Sequence, residues 1–67
     1  MNSYCVRYIQ AGGSCSSTIK AASAGDAKAI AESKGNATYP VIVHEVSGPD
    51  GAIRYMSYGD AVRLAKP

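Results

Sequence analysis

The sequence predicts an α+β domain of order β-β-α-β-β: a four-stranded, mostly antiparallel sheet, one helix packed on one face and a short C-terminal helix. Three observations lead there. Only Ala22 to Gly35 has helical grammar throughout. Two β-rich pairs flank it, each pair broken by a glycine-bearing turn signal. At 67 residues, the chain makes one domain, residues 1–67, near the lower limit for a self-sufficient core.

The elements follow in order. Tyr4 to Gln10 is rich in β-branched and aromatic residues and reads as a strand. Tyr4, Val6 and Tyr8 share one face; Cys5, Arg7 and Ile9 share the other. Both faces are mixed, so the orientation of this hairpin stays open. Gly12-Gly13 reads as a two-residue hairpin loop. That places Cys15 opposite Gln10 and Cys5 opposite Lys20, the two sulfurs on the order of 16 Å apart and both reduced. Cys15 to Ala21 is a second strand whose small polar residues suit an edge. No internal repeat is read from the chain.

In the helix, about Ala24 to Lys34, Ser23 serves as N-cap with Asp26 three residues on. Ala27, Ile30, Ala31 and Lys34 recur at helical spacing and define a narrow apolar stripe. Gly35-Asn36 reads as a left-handed stop, with Lys34 in the last turn. Val41 to Val46 is the most apolar strand and reads as central. Ser47 to Gly51, Asp50 included, is a turn, and Ala52 to Tyr58 the returning strand. Folding this hairpin sets Val43 near Tyr55 and Glu45 near Ile53. It sets His44 near Arg54 and Ile42 near Met56 on the opposite face. Val41, Val43, Ile53 and Tyr55 are expected under the helix, leaving the His44–Arg54 face open. Glu45 then needs a cation such as Lys20 or Lys28. Gly59 ends the strand, and Asp60 caps a helix over Ala61 to Ala65 that fades at Lys66-Pro67.

Composition narrows the function classes. Phe and Trp are absent, and five tyrosines carry the aromatic surface. Seven Lys+Arg against five Asp+Glu give a net charge of +2, which permits an anionic partner without demanding one. No apolar run approaches the roughly 20 residues of a membrane span, and the N-terminus lacks signal-peptide features. The expected setting is cytoplasmic. One histidine and no CxxC spacing leave no metal set, and no cofactor motif is present. Neither cysteine has a sequence-visible base, and no carboxylate pair stands out, so catalysis is not expected.

The partner-binding candidates are basic and aromatic. Lys20, Lys28 and Lys34 group along the helix as a small positive edge. Tyr55, Met56 and Tyr58 near His44 and Arg54 form a second surface of hot-spot composition. An open strand edge leaves monomer and dimer both available.

Two resemblances enter on particular residues. Tyr4-Cys5-Val6-Arg7-Tyr8-Ile9-Gln10, then Ile19-Lys20-Ala21-Ala22-Ser23, Ala27-Lys28 and Ile30-Ala31, resemble a small phage-encoded anti-CRISPR family acting on type I-F surveillance complexes. The chain departs from it at Lys20, where the family carries an acidic residue, at Ala29, where a basic one stands, and in a longer second turn. The resemblance implies a non-enzymatic inhibitor that docks on protein subunits of a type I CRISPR surveillance complex and blocks target DNA, competing with or contacting nucleic acid. Val41-Ile42-Val43-His44, Asp50-Gly51-Ala52-Ile53-Arg54 and Ser57-Tyr58-Gly59-Asp60 resemble the closing signature of a small bacterial β-β-α-β-β domain family. That likeness implies fold and, as a function, at most weak nucleic-acid or protein binding by an accessory domain.

Overall fold

A computed structural model describes residues 1–49 and 51–65. The expectations for Asp50 in the second turn and for Lys66-Pro67 fall outside the described residues. The order is β1 (Asn2–Gln10), β2 (Gly13–Ala21), α1 (Ala24–Glu32), β3 (Ile42–Gly48), β4 (Gly51–Arg54) and α2 (Tyr58–Ala65). All strand pairs are antiparallel and form one sheet, β2-β1-β3-β4. The α+β class is as expected, with β3 inside and β2 at an edge.

The first hairpin turns at Ala11-Gly12, not Gly12-Gly13. Both residues have positive φ, 54° and 78°, as a two-residue primed turn requires. Cys15 therefore faces Tyr8 and Cys5 faces Thr18, two residues away from the expected register. The tighter loop pairs β1 along its whole length with β2, and it frees Ser23 for the helix cap. The later turn would have drawn Ser23 into the ladder opposite Asn2. Side-chain alternation sends the two free thiols to opposite faces, and three steps of the ladder separate them along the hairpin.

The sheet has two unequal covers. Tyr4, Val6, Ile19, Ala21, Val41, Val43 and Val46 bury one face against Ala27 and Ala31 of α1. This orients the first hairpin: Tyr4 and Val6 point at α1, and Ile9 points away from it. On the far face Ile9 packs with Ala61 and Ala65 of α2, joined by Ile42, Met56 and Val62. The expected open face is thus half covered. Small alanines let each helix lie close to the sheet, as an interior without Phe or Trp needs.

The two helices begin alike, a repeat that the sequence reading passed over. Ser23-Ala24-Gly25-Asp26-Ala27 and Ser57-Tyr58-Gly59-Asp60-Ala61 share Ser-x-Gly-Asp-Ala, and Ala31 and Ala65 follow at the same spacing. In α1 the Asp26 amide donates to Ser23 Oγ at 3.2 Å; in α2 the Asp60 amide donates to Ser57 Oγ at 3.1 Å. Ser57, not Asp60, is therefore the serine that caps α2, and Gly59 lies inside its first turn. The helix takes Tyr58, expected as the end of the returning strand, and β4 ends earlier, at Arg54.

The end of α1 also differs. It stops at Glu32 with Ser33 as a right-handed C-cap, so Lys34 lies beyond the last turn. Ile30 is 40% exposed and off the buried stripe, which runs through Ala27 and Ala31. Gly35 adopts no positive φ; a Cβ there would come 2.6 Å from the Val41 amide nitrogen, so close backbone approach requires the glycine.

Candidate partner-binding surfaces

A bulge in the β1–β3 ladder shapes the far face. Arg7 pairs with Glu45 but Tyr8 pairs with Val43, so His44 is the extra residue. One inserted residue re-aims the strand. Val43 and Val46 both reach the α1 core, while His44 and Glu45 come to Arg7's side. Beyond the bulge, β4 pairs Glu45 with Arg54 and Val46 with Ile53, one residue off the expected Glu45–Ile53 and His44–Arg54 pairs. The second hairpin closes at Gly48↔Gly51, with Gly51 at φ 111°. The slip goes with the bulge: Arg54 keeps the open face and Ile53 the α1 side, while Glu45 changes sides.

Glu45 therefore does not point under α1 or meet Lys20 or Lys28. Its carboxylate sits between Arg7 Nη1 at 4.0 Å and Arg54 Nε at 3.9 Å. Both guanidiniums remain mostly exposed. Lys20 pairs with Ser3, so alternation places it on this same face. Among the described residues the uncovered half of the sheet thus carries three cations and one carboxylate beside Ser16, Thr18, Ser47 and Ala52.

The expected positive edge along α1 does not form. Lys20 lies on the sheet face away from α1. Lys28 leans the other way, its Nζ 3.1 Å from Glu32 Oε2 and 5.2 Å from the centre of the Tyr55 ring. Its side chain is only 28% exposed, because its stem lies along the Tyr55 side of the domain. Lys34 is exposed past the helix end. Val41 and Val43 are buried under α1 as expected, whereas Ile53 (48%) and Tyr55 (38%) stay exposed at the β4 edge. Among the six expected partner residues, only Lys28 and Tyr55 meet. Lys20 and Arg54 belong to opposite edge strands, roughly 20 Å apart by strand spacing and rise.

Tyr58 stands at the mouth of a groove between the first hairpin and α2. Arg7, Ser14, Cys15, Ser16, His44 and Tyr58 line it, and its volume is about 340 Å³. The Tyr58 and Ser14 hydroxyls are 2.8 Å apart, and the rings of His44 and Tyr58 meet edge to face at 5.7 Å. Sequence reasoning had Arg7 and His44 on strand faces but did not join them to Ser14 and Ser16. Only the bulge and the docking of α2 bring these residues together. The Ser57-x-x-Asp60 spacing was the one legible signal, since it starts α2 at Tyr58.

Asp60 is held below the ordinary carboxylate range by hydrogen bonds from Arg63 and Ser57 and by the Arg63 charge. Among the described residues no three His, Cys, Asp or Glu side chains gather as a metal site, and no helix is long and apolar enough to cross a membrane.

Comparison with known proteins finds no matching family model, no matching curated protein and no matching solved structure.

Proposed function

We propose that this chain is a non-enzymatic binding protein for an anionic surface, and that it inhibits a type I CRISPR surveillance complex by occupying the path of target DNA. The observation that carries the class is the charge on the open sheet face, where among the described residues Lys20, Arg7 and Arg54 stand against the carboxylate of Glu45. The choice of partner rests on the resemblance of β1 and of the β2–α1 stretch to the anti-CRISPR family. Such a protein works in the cytoplasm of the infected host cell. Arg54 and Lys20 act as phosphate-like contacts or competitors for them, and Lys34 adds a third cation beyond α1. Lys28, already satisfied by Glu32 and Tyr55, supports the Tyr55 edge as a protein contact more than as a free charge.

The test is a pull-down with purified type I complex followed by a target-DNA shift assay. Capture of the complex and loss of DNA binding are expected. No capture with undisturbed DNA binding overturns the reading. Lys20→Glu with Arg54→Glu should abolish inhibition in a folded protein, and Lys28→Glu with Lys34→Glu should weaken it. Full activity of the first pair would place the contact off the sheet. The likeness of Ser57-Tyr58-Gly59-Asp60 and its preceding strands to a bacterial domain family favours a second reading, an accessory domain that binds nucleic acid weakly. Direct DNA binding that falls steeply with salt, without complex capture, would select it.

A further inference from the structure

We propose that the groove between the first hairpin and α2 binds a nucleoside monophosphate unit, its phosphate on Arg7 with Ser14 and Ser16, and its base against Tyr58. The groove is rich in donors: a guanidinium, three hydroxyls and an imidazole line it, and among the described residues no carboxylate does. Among the described residues Glu45 is the acid paired with Arg7, and at 4.0 Å it lies beyond hydrogen-bond distance. Arg7, 59% exposed, keeps its planar fork of N–H groups for another partner, and that fork matches phosphate oxygens. The β-bulge is the device that brings His44 beside it.

Size and shape extend the argument from anion to nucleotide. About 340 Å³ is more than a bare phosphate needs and falls within the range of small-ligand sites. At one wall Tyr58 is 56% exposed, with its hydroxyl tied to Ser14 and its ring set edge to face with His44. A tyrosine held this way offers a base an aromatic surface at little entropic cost. The unit can come from a free nucleotide or from a single strand. This inference shares Arg7 with the proposed inhibition but does not depend on it: nucleotide binding is read on the isolated chain, whereas inhibition is read with the complex.

The experiment is a ¹H–¹⁵N NMR titration of the full chain with thymidine monophosphate, thymidine, inorganic phosphate and a short oligothymidylate. Thymidine monophosphate should give saturable shifts centred on Arg7, Ser14, Ser16, His44 and Tyr58, at lower concentration than phosphate or thymidine. Arg7→Ala should weaken it about tenfold or more, the loss of a charge-assisted pair. Tyr58→Leu should weaken thymidine monophosphate but leave phosphate unchanged. Tighter binding of the oligothymidylate at the same residues makes the source a nucleic-acid strand; equal or weaker binding makes it the free nucleotide. The proposal fails if no saturable shift appears by about 10 mM, a Kd too weak for a site. It also fails if Arg7→Ala, shown folded by its spectrum, binds as the parent does, or if shifts spread evenly over Lys20, Lys34 and Arg54.

Discussion

Gly48→Ala tests how closely the sheet is packed beneath α1. Gly48 sits across from Tyr4 in the β1–β3 ladder, one step beyond the Cys5–Ser47 pair. A Cβ on Gly48 would stand 2.4 Å from both Cδ1 and Cε1 of the Tyr4 ring. Carbon atoms in contact prefer about 3.5–4.0 Å, so the ring must move by more than 1 Å. Tyr4 is 6% exposed and packed in the α1 core, which leaves it little room to move. Overpacking of this kind costs about 1–3 kcal/mol. Removing a glycine from a strand returns roughly 0.5–1 kcal/mol of chain entropy. At the middle of the overpacking range, about 2 kcal/mol, the net loss is about 1–1.5 kcal/mol, a large part of the roughly 3–10 kcal/mol available to a chain of 67 residues. Tm should fall by roughly 4–12 °C. Urea unfolding followed by far-ultraviolet circular dichroism measures the change directly. In a Tyr4→Leu background, whose flexible side chain can yield, the same glycine substitution should cost much less. Equal stability of Gly48→Ala and the parent, within about 0.5 kcal/mol, would refute the packing argument. So would an unchanged cost in the Tyr4→Leu background.

Three further outcomes are expected. Ala11→Asn should stabilise the chain by about 0.5–1 kcal/mol, because asparagine tolerates the left-handed turn position that alanine holds at φ 54°; a lower urea midpoint would contradict it. Ser23→Ala should cost about 1 kcal/mol by leaving the Asp26 amide without its cap, and Ser23→Asp should restore most of that loss in the same unfolding assay. Asp60 has a folded-state pKa lowered by Arg63 and Ser57, so its contribution is present above the unfolded carboxylate pKa and is lost as pH falls through the folded value. Asp60→Asn should therefore flatten the acid limb of a plot of Tm against pH; an unchanged slope would mean that the Arg63 contact does not persist in solution.

Local chemistry was legible where one short stretch decides the outcome. The Ser23 cap, the alanine stripe of α1 and the apolar run of β3 could be read because propensity, capping and burial agree there. The start of α2 carried the same Ser-x-Gly-Asp-Ala grammar. It was obscured because Met56 and Tyr58 also suit a strand, and because glycine at position 59 reads as a breaker. Ile30 misled for a similar reason: it has helical spacing, but the sheet beneath α1 meets only Ala27 and Ala31. The partner residues fared unevenly. Lys28 and Tyr55 come together through the β4 edge, whereas Lys20 was assigned to the wrong side by its nearness in sequence to α1.

Element order, the α+β class and the capping of α1 follow from the sequence by itself, because each depends on residues within about one helical turn or one hairpin. The side chosen by Glu45, the Arg7–Glu45–Arg54 cluster and the groove at Tyr58 belong to the tertiary structure alone. They depend on one extra residue in β3 opposite Arg7. A strand alternates with a period of two, so a single bulge reverses every face beyond it, and nothing local in Val43-His44-Glu45-Val46 announces where that reversal falls. The core decides it, by requiring Val43 and Val46 both to lie against α1.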